Sequence, residues 1–194
     1  MIAPSPTTIG ELLALQTRFE VPKFQRPYAW TATEVEEFLD DLEVESRGKR
    51  GLFLGSILLD VSVLSDGKIV IVDGQQRLTS IFLLLIACRE RAKALVPDIA
   101  HETQRQIGFI DPVTAESLGP RLLASETIRD VFDTMANSKW DGVIPLKAEG
   151  RPVKRQANRV RKVFDHFTKR VQAMELDGLQ GLLARNICRP GSSS

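Results

Sequence analysis

A chain of 194 residues, 43% apolar and 26% charged, can bury one substantial core, and such ordinary proportions exclude wholesale disorder. A formal net charge of +1 speaks neither for nor against a polyanionic partner, and two cysteines without metal-ligand spacing exclude a disulfide scaffold. The longest apolar run, IFLLLIAC, is far shorter than the roughly 20 residues that span a bilayer, and MIAPSPTTIG lacks the regions of a signal peptide, so a cytoplasmic protein without membrane contact is expected.

Thr8 stands three residues before Glu11, the spacing of a capping box, and the apolar residues beyond predict a helix over about 8–17. RFEVP, ending at Pro22, reads as a short strand. VPKFQRPYAW, residues 21–30, then gathers two prolines, two cations and three aromatics. Pro22 and Pro27 hold such a segment extended, because each restricts its own φ and the residue before it. Gln25 and Arg26 bring hydrogen-bonding groups, while Tyr28 and Trp30 bring rings with a polar tip. Phe24 and Trp30 are expected to fasten the loop to the core, leaving Gln25, Arg26 and Tyr28 to face a ligand.

A helix from Thr33 carries Val35, Phe38, Leu39 and Leu42 on one face and its acids on the other, and Gly48 and Gly51 mark the next break. LFLGSILLDVSVL (52–64) and KIVIVD (68–73), joined by SDG, predict an antiparallel hairpin. The DGQQR turn (73–77) leads into a helix over 76–94 that is apolar on most sides and so belongs at the centre. From 98 to 119 the pattern weakens, with RQIGFID readable as a strand. SETIRDVFDTMA (125–136) predicts an amphipathic helix capped by Ser125, and residues 137–152 a loop. A long basic helix follows over 153–174, with a seam of Val160, Val163, Phe164, Phe167 and Val171, then a last helix near 178–186 and a tail. Charge is segregated: residues 33–45 hold seven acids and no base, residues 147–170 nine bases and two acids. Two helices facing each other, or one basic surface offered to a polyanion, would both produce this pattern.

The DGQQR turn holds the most chemistry. A glycine there lets the backbone approach a ligand, and the first turn of the following helix offers free N–H groups and a positive dipole end suited to phosphate. Arg77 adds a cationic fork matched to phosphate oxygens. Gln75 and Gln76 add neutral donors and acceptors. Asp73 could hold a metal–phosphate unit, orient a water, or simply cap the helix. A Walker A motif, HExxH and GxSxG are all absent, and His101 and His166 stand in unrelated contexts, so no protein metal site is expected.

Taken in order, VPKFQRPYAW, FLGSILL, IVDGQQRLTSIFLLL and NRVRKVFDHF resemble the N-terminal domain of GmrSD-type modification-dependent restriction endonucleases, a ParB/sulfiredoxin-like module, over residues from about 8 to 175. The resemblance implies an α+β fold: a ParB/sulfiredoxin-like core over 1–100, a helical layer packed on it over 101–190, and a tail at 191–194. It implies that Asp73, Gln75, Gln76 and Arg77 act on a nucleoside triphosphate, with Mg²⁺, while Gln25, Arg26, Gly74, Thr79, Asn158 and Arg159 bind it. The implied partner is DNA carrying a modification, sensed through Tyr28, Lys154, Arg155 and Lys162, with a nuclease domain or subunit and an oligomer as further partners. Members of this kind are commonly longer, with a C-terminal HNH-type half, so the chain is expected to be a piece of a longer protein or a stand-alone module. Three functions follow: a nucleotide-binding, NTP-hydrolysing regulatory and DNA-sensing domain of an antiphage restriction system; a non-catalytic module for modified DNA or a partner nuclease; and, least expected, weak nicking of DNA by the chain alone.

Overall fold

The computed structural model describes residues 7–15, 17–46, 55–62, 67–114, 116–140, 142 and 151–183. In chain order the elements are α1 (Ile9–Ala14), β1 (Arg18–Glu20), α2 (Ala32–Ser46), β2 (Leu58–Asp60), β3 (Lys68–Asp73), α3 (Gln75–Leu95) and α4 (Pro97–Ile107). After these come β4 (Gly108–Ile110), β5 (Ser117–Pro120), β6 (Leu122–Leu123), α5 (Arg129–Ala136), α6 (Arg151–Gln172) and α7 (Leu176–Leu182). The fold is α+β, as expected. A four-stranded sheet runs β2-β3-β1-β6, with β1 parallel to both β3 and β6 and β2 antiparallel to β3. A separate ribbon pairs β4 with β5.

Local chemistry sets the elements that were legible. Thr8 and Glu11 form the expected capping box: Glu11 N–H donates to Thr8 Oγ1 at 3.1 Å and Thr8 N–H donates to Glu11 Oε2 at 2.7 Å. A related arrangement occurs unpredicted at α2, where Thr31 N–H and hydroxyl donate to Glu34 Oε2 at 2.7 and 2.6 Å and Thr33 N–H donates to Thr31 Oγ1 at 3.3 Å. The helix therefore begins at Ala32, directly out of the QRPYAW loop. The hairpin is antiparallel as expected but its first strand spans only Leu58–Asp60; residues 52–54, 63 and 64 and the first two residues of the SDG turn lie outside the described residues.

Phe19 sits opposite Ile69 on β3 and Leu122 on β6, and these side chains, with Ile71, are buried almost completely. Against this layer lies α3, in which Leu78 and every position from Ser80 to Arg89 is at most 1% exposed. Each fully buried Leu, Ile or Phe contributes about 1.5–3 kcal/mol relative to exposure. The core extends without a break through α5, α6 and α7. The core is continuous across residue 100, with the helices beyond it packed on the sheet layer and β6 joining the sheet.

Three further expectations are corrected. Arg105–Ile107 belong to the helix α4, and only Gly108–Ile110 is strand. Ile128, not Ser125, is the N-cap residue of α5, with Ser125 hydrogen-bonded to Thr127 instead. The basic helix starts at Arg151, inside the expected loop, with Pro152 in its first turn, where its missing N–H costs nothing. The final helix ends at Leu182 within the described residues.

One buried cation ties three helices. Arg89 of α3, 1% exposed, donates to Met135 O at 2.7 Å and Ala136 O at 3.2 Å, the last carbonyls of α5. It also donates to Gln104 Oε1 of α4 and pairs with Glu90 at 2.7 Å. Burial pushes its pKa down, while Glu90 works in the opposite direction. Arg89→Met keeps much of the volume but leaves Met135 O and Gln104 Oε1 without the donor they have here, while Ala136 O keeps Gln104 Nε2. A loss of about 3 kcal/mol is expected, read in urea unfolding as a lower midpoint at unchanged slope; a midpoint within error of the parent would remove Arg89 from this role.

Candidate functional site

The DGQQR turn lies where β3 ends and α3 begins, and because β1 and β3 are parallel the QRPYAW loop leaves the sheet at the same end. Gly74 occupies the N-cap position of α3 at φ +86°, in the left-handed region, without a side-chain cap. A side chain there would also collide: an added Cβ would stand 3.1 Å from Ile57 Cα and 3.2 Å from Ser56 O. Sequence and backbone therefore leave the first turn of α3 uncovered by any side-chain cap. Asp73 is exposed, with Oδ1 accepting the Gly74 N–H at 2.7 Å.

Arg77 is half-buried in the first turn of α3. Its Nη1 donates to Ser56 O at 3.1 Å, and the guanidinium fills the space beside Gly55, where a Cβ would stand 2.8 Å from Cζ. The segment entering β2 thus holds Arg77 against the turn, and Gly55, itself at φ +86°, makes the close approach available.

The two glutamines differ in what they leave free. Both are buried, Gln75 at 6% and Gln76 at 7% exposure. Gln76 is spent at both ends, accepting the Ala29 N–H at 2.7 Å through Oε1 and donating to Pro27 O at 3.3 Å through Nε2. Gln75 donates to Arg26 O at 2.7 Å through Nε2, while its Oε1 has no partner among the described residues. Gln25 reaches back to Val72 O at 2.7 Å. Arg159 of α6 closes the ring of contacts by donating to Tyr28 O at 3.3 Å. Gln25, Arg26, Gly74, Gln75, Gln76, Arg77 and Arg159 are therefore brought together.

The aromatic residues of the loop exchange the places expected for them. Tyr28, expected to face a ligand, is 2% exposed and its hydroxyl lies 2.7 Å from Ser80 Oγ. Because Ser80 donates its own proton to Gln76 O at 2.9 Å, Tyr28 is the donor in that pair. Burial pushes the phenol pKa well above its usual range, so the ring stays neutral. Phe24, expected in the core, is 82% exposed. Trp30 does fasten the loop, packing on Phe38 with ring centroids 5.7 Å apart.

Thr79 is buried one turn into α3, and Asn158 is exposed on α6 beside Arg159. Lys154, Arg155 and Lys162 are exposed on α6 and form no ion pair among the described residues. The same helix also meets the acids of α2: His166 with Glu36, and Arg170 with Glu36 at 3.8 Å and Asp40 at 3.3 Å. A cavity of about 680 Å³ opens at the other end of the sheet, among Leu13, His101, Arg105, Phe109 and Arg121, and no sequence-predicted site residue lines it. Among the described residues no cluster of His, Cys, Asp and Glu could hold a metal ion, and no helix is long and apolar enough to cross a membrane.

Sequence reasoning missed Ser56, Gly55 and Ser80, which position Arg77 and Tyr28. The FLGS stretch contained the first two, but a strand pattern does not reveal which carbonyl an arginine will find.

Gln76→Met, close in volume, would leave the Ala29 N–H and Pro27 carbonyl without their partner. The expected cost is about 1–3 kcal/mol, with amide exchange accelerated across residues 25–29 and unchanged in α5. Uniform acceleration over the whole chain would mean that Gln76 supports the fold at large and not this loop.

One protein family matches this chain: the family described as GmrSD restriction endonuclease, N-terminal domain, over residues 9–180. No individual curated protein matches it.

Proposed function

The chain belongs to the GmrSD restriction endonuclease N-terminal domain family, and from that membership and the geometry of the turn we propose that it is a nucleotide-binding, NTP-hydrolysing regulatory domain that also senses DNA. The observation that carries the reading is the first turn of α3: Gly74 leaves it without a side-chain cap, and Arg77 is held beside it by Ser56 O. Uncapped N–H groups, the positive end of the helix dipole and a guanidinium together favour phosphate. Arg26 adds a second cation. Its backbone is fixed by Gln75 while its exposed side chain has no partner among the described residues.

Hydrolysis requires a group that orients water towards the phosphate. Gln76 has no free hydrogen-bonding atom for this, since both ends of its amide hold the loop. Gln75 keeps Oε1, and the proposed water-orienting role goes to that atom. Asp73 holds the Gly74 N–H through one oxygen and keeps the other for the same water or for Mg²⁺. A metal bound with the nucleotide would supply neutralisation of phosphate charge. Tyr28 has no part in contacting ligand in this reading.

DNA is proposed to lie along α6, where Lys154, Arg155 and Lys162 are exposed and have no ion-pair partner among the described residues. Such contacts are made with phosphates and carry little sequence information. Arg159 connects this helix to the loop over the turn.

Calorimetric titration with ATP and GTP tests the nucleotide site. Arg77→Ala is expected to weaken binding at least tenfold, with thermal stability nearly kept because the residue is half-buried. Gln75→Ala is expected to bind and fail to hydrolyse. Residual hydrolysis equal to the parent's in Arg77→Ala would sink the assigned role, and no heat with either nucleotide at millimolar concentration would favour a non-catalytic binding module. For the DNA face, each of Lys154→Ala, Arg155→Ala and Lys162→Ala should lower the slope of log affinity against log salt by about one.

A further inference from the structure

We infer that Phe24 is a stacking platform for an unpaired nucleobase of single-stranded DNA; this rests on the DNA-sensing reading above and names the part of the nucleic acid that the loop meets. Phe24 is the one aromatic among the exposed large hydrophobic side chains of the described residues, at 82% exposure. A ring left in water forgoes the stabilisation of burial, and the loop around it is held far more firmly than an idle surface loop needs to be. Gln25 N–H donates to Pro22 O at 3.0 Å, closing a tight turn with Lys23 and Phe24 at its tip. Behind the tip, Gln25 is tied to Val72 O, Arg26 O to Gln75, Pro27 O and Ala29 N–H to Gln76, and Tyr28 to both Ser80 and Arg159. Lys23 is tied to Glu126 at 2.7 Å. Backbone and neighbours are thus fixed before any ligand arrives, so that stacking on Phe24 would cost little ordering entropy.

The surroundings select the occupant. Arg26, exposed beside the ring, has no ion-pair partner among the described residues, whereas Lys23 is paired with Glu126; the exposed cations of α6 continue from Arg159, which touches the same loop. An aromatic face among cations matches the combination by which single-stranded nucleic acid is held: phosphates on the positive groove, bases on rings. Within a paired duplex the base faces are already stacked, so the platform serves a base that is not paired.

The test uses the full chain and a mixed-sequence single-stranded oligonucleotide carrying one 2-aminopurine, alongside the same sequence as a paired duplex. Phe24→Ala is expected to weaken single-strand binding about tenfold, within the range of one base–aromatic stack, and to abolish the fluorescence quench of the 2-aminopurine. The slope of log affinity against log salt should stay as in the parent, because no charge is removed, and duplex affinity should change little. Phe24→Trp should restore binding and quench, whereas Phe24→Leu, apolar but unable to stack, should not. The exposure of the ring predicts an unchanged melting temperature for all three. Full affinity in Phe24→Leu would overturn the stack in favour of a simple apolar contact such as a protein partner makes. Parent-like binding by Phe24→Ala, with the lysine and arginine variants of α6 still defective, would overturn this inference and leave the DNA reading standing. No binding of either strand form by the parent would overturn both.

Discussion

A helix buried on most sides needs partners for the polar groups it buries, and α3 is such a helix. Its polar members are not scattered: Gln75, Gln76, Thr79 and Ser80 crowd the first turns and Arg89 stands near the far end. Leaving any of these unpaired would cost about 1–3 kcal/mol, more for the charge. The chain meets that demand by bringing other segments to them. The QRPYAW loop supplies carbonyls and an N–H to the glutamines at one end, and the end of α5 with Gln104 of α4 supplies acceptors to Arg89 at the other. The position of the loop, and so of every candidate site residue on it, follows from the need to bury α3.

The structure shows one of the two purposes that could have separated the charges of the sequence, two helices that face each other. One side of α6 meets the acids of α2, through His166 and Arg170 with Glu36 and Asp40. These pairs are partly exposed, so they contribute register more than stability. Lys154, Arg155, Lys162 and Lys169 of the same helix stay exposed to solvent.

What was legible in the sequence was what local chemistry decides. The Thr8–Glu11 box, the hairpin, the apolar α3 and the seam of α6 each depend on residues a few positions apart. The α4 helix escaped because the side it buries includes Thr103 and Gln104 beside Ala100 and Ile107, which breaks the apolar period. Gln104 is buried to serve Arg89, a partner 15 positions away. The exchange of Phe24 and Tyr28 has the same origin. By composition Phe is the better core residue, yet the buried position lies beside Ser80, whose hydroxyl needs a donor, and only the phenol can supply one. The DGQQR turn was legible as a turn; that its two glutamines are struts was not, because their partners lie 47 to 49 residues earlier.

The loop also touches both of the sites proposed above. Its backbone accepts from Gln75 in the first turn of α3 and from Arg159 of α6, two residues apart at Arg26 and Tyr28. A phosphate that draws on the first turn of α3 acts on Gln75, whose Nε2 fixes Arg26 and whose Oε1 is the atom left to reorganise. Moving Arg26 O by a fraction of an ångström shifts the turn that carries Phe24, since Gln25 joins them. The physical requirement for coupling is an element that both sites bias, and here it is a segment of about six residues, stiffened by Pro22 and Pro27, in contact with both. A flexible loop would absorb such a displacement; the hydrogen bonds that pin this one also bury α3.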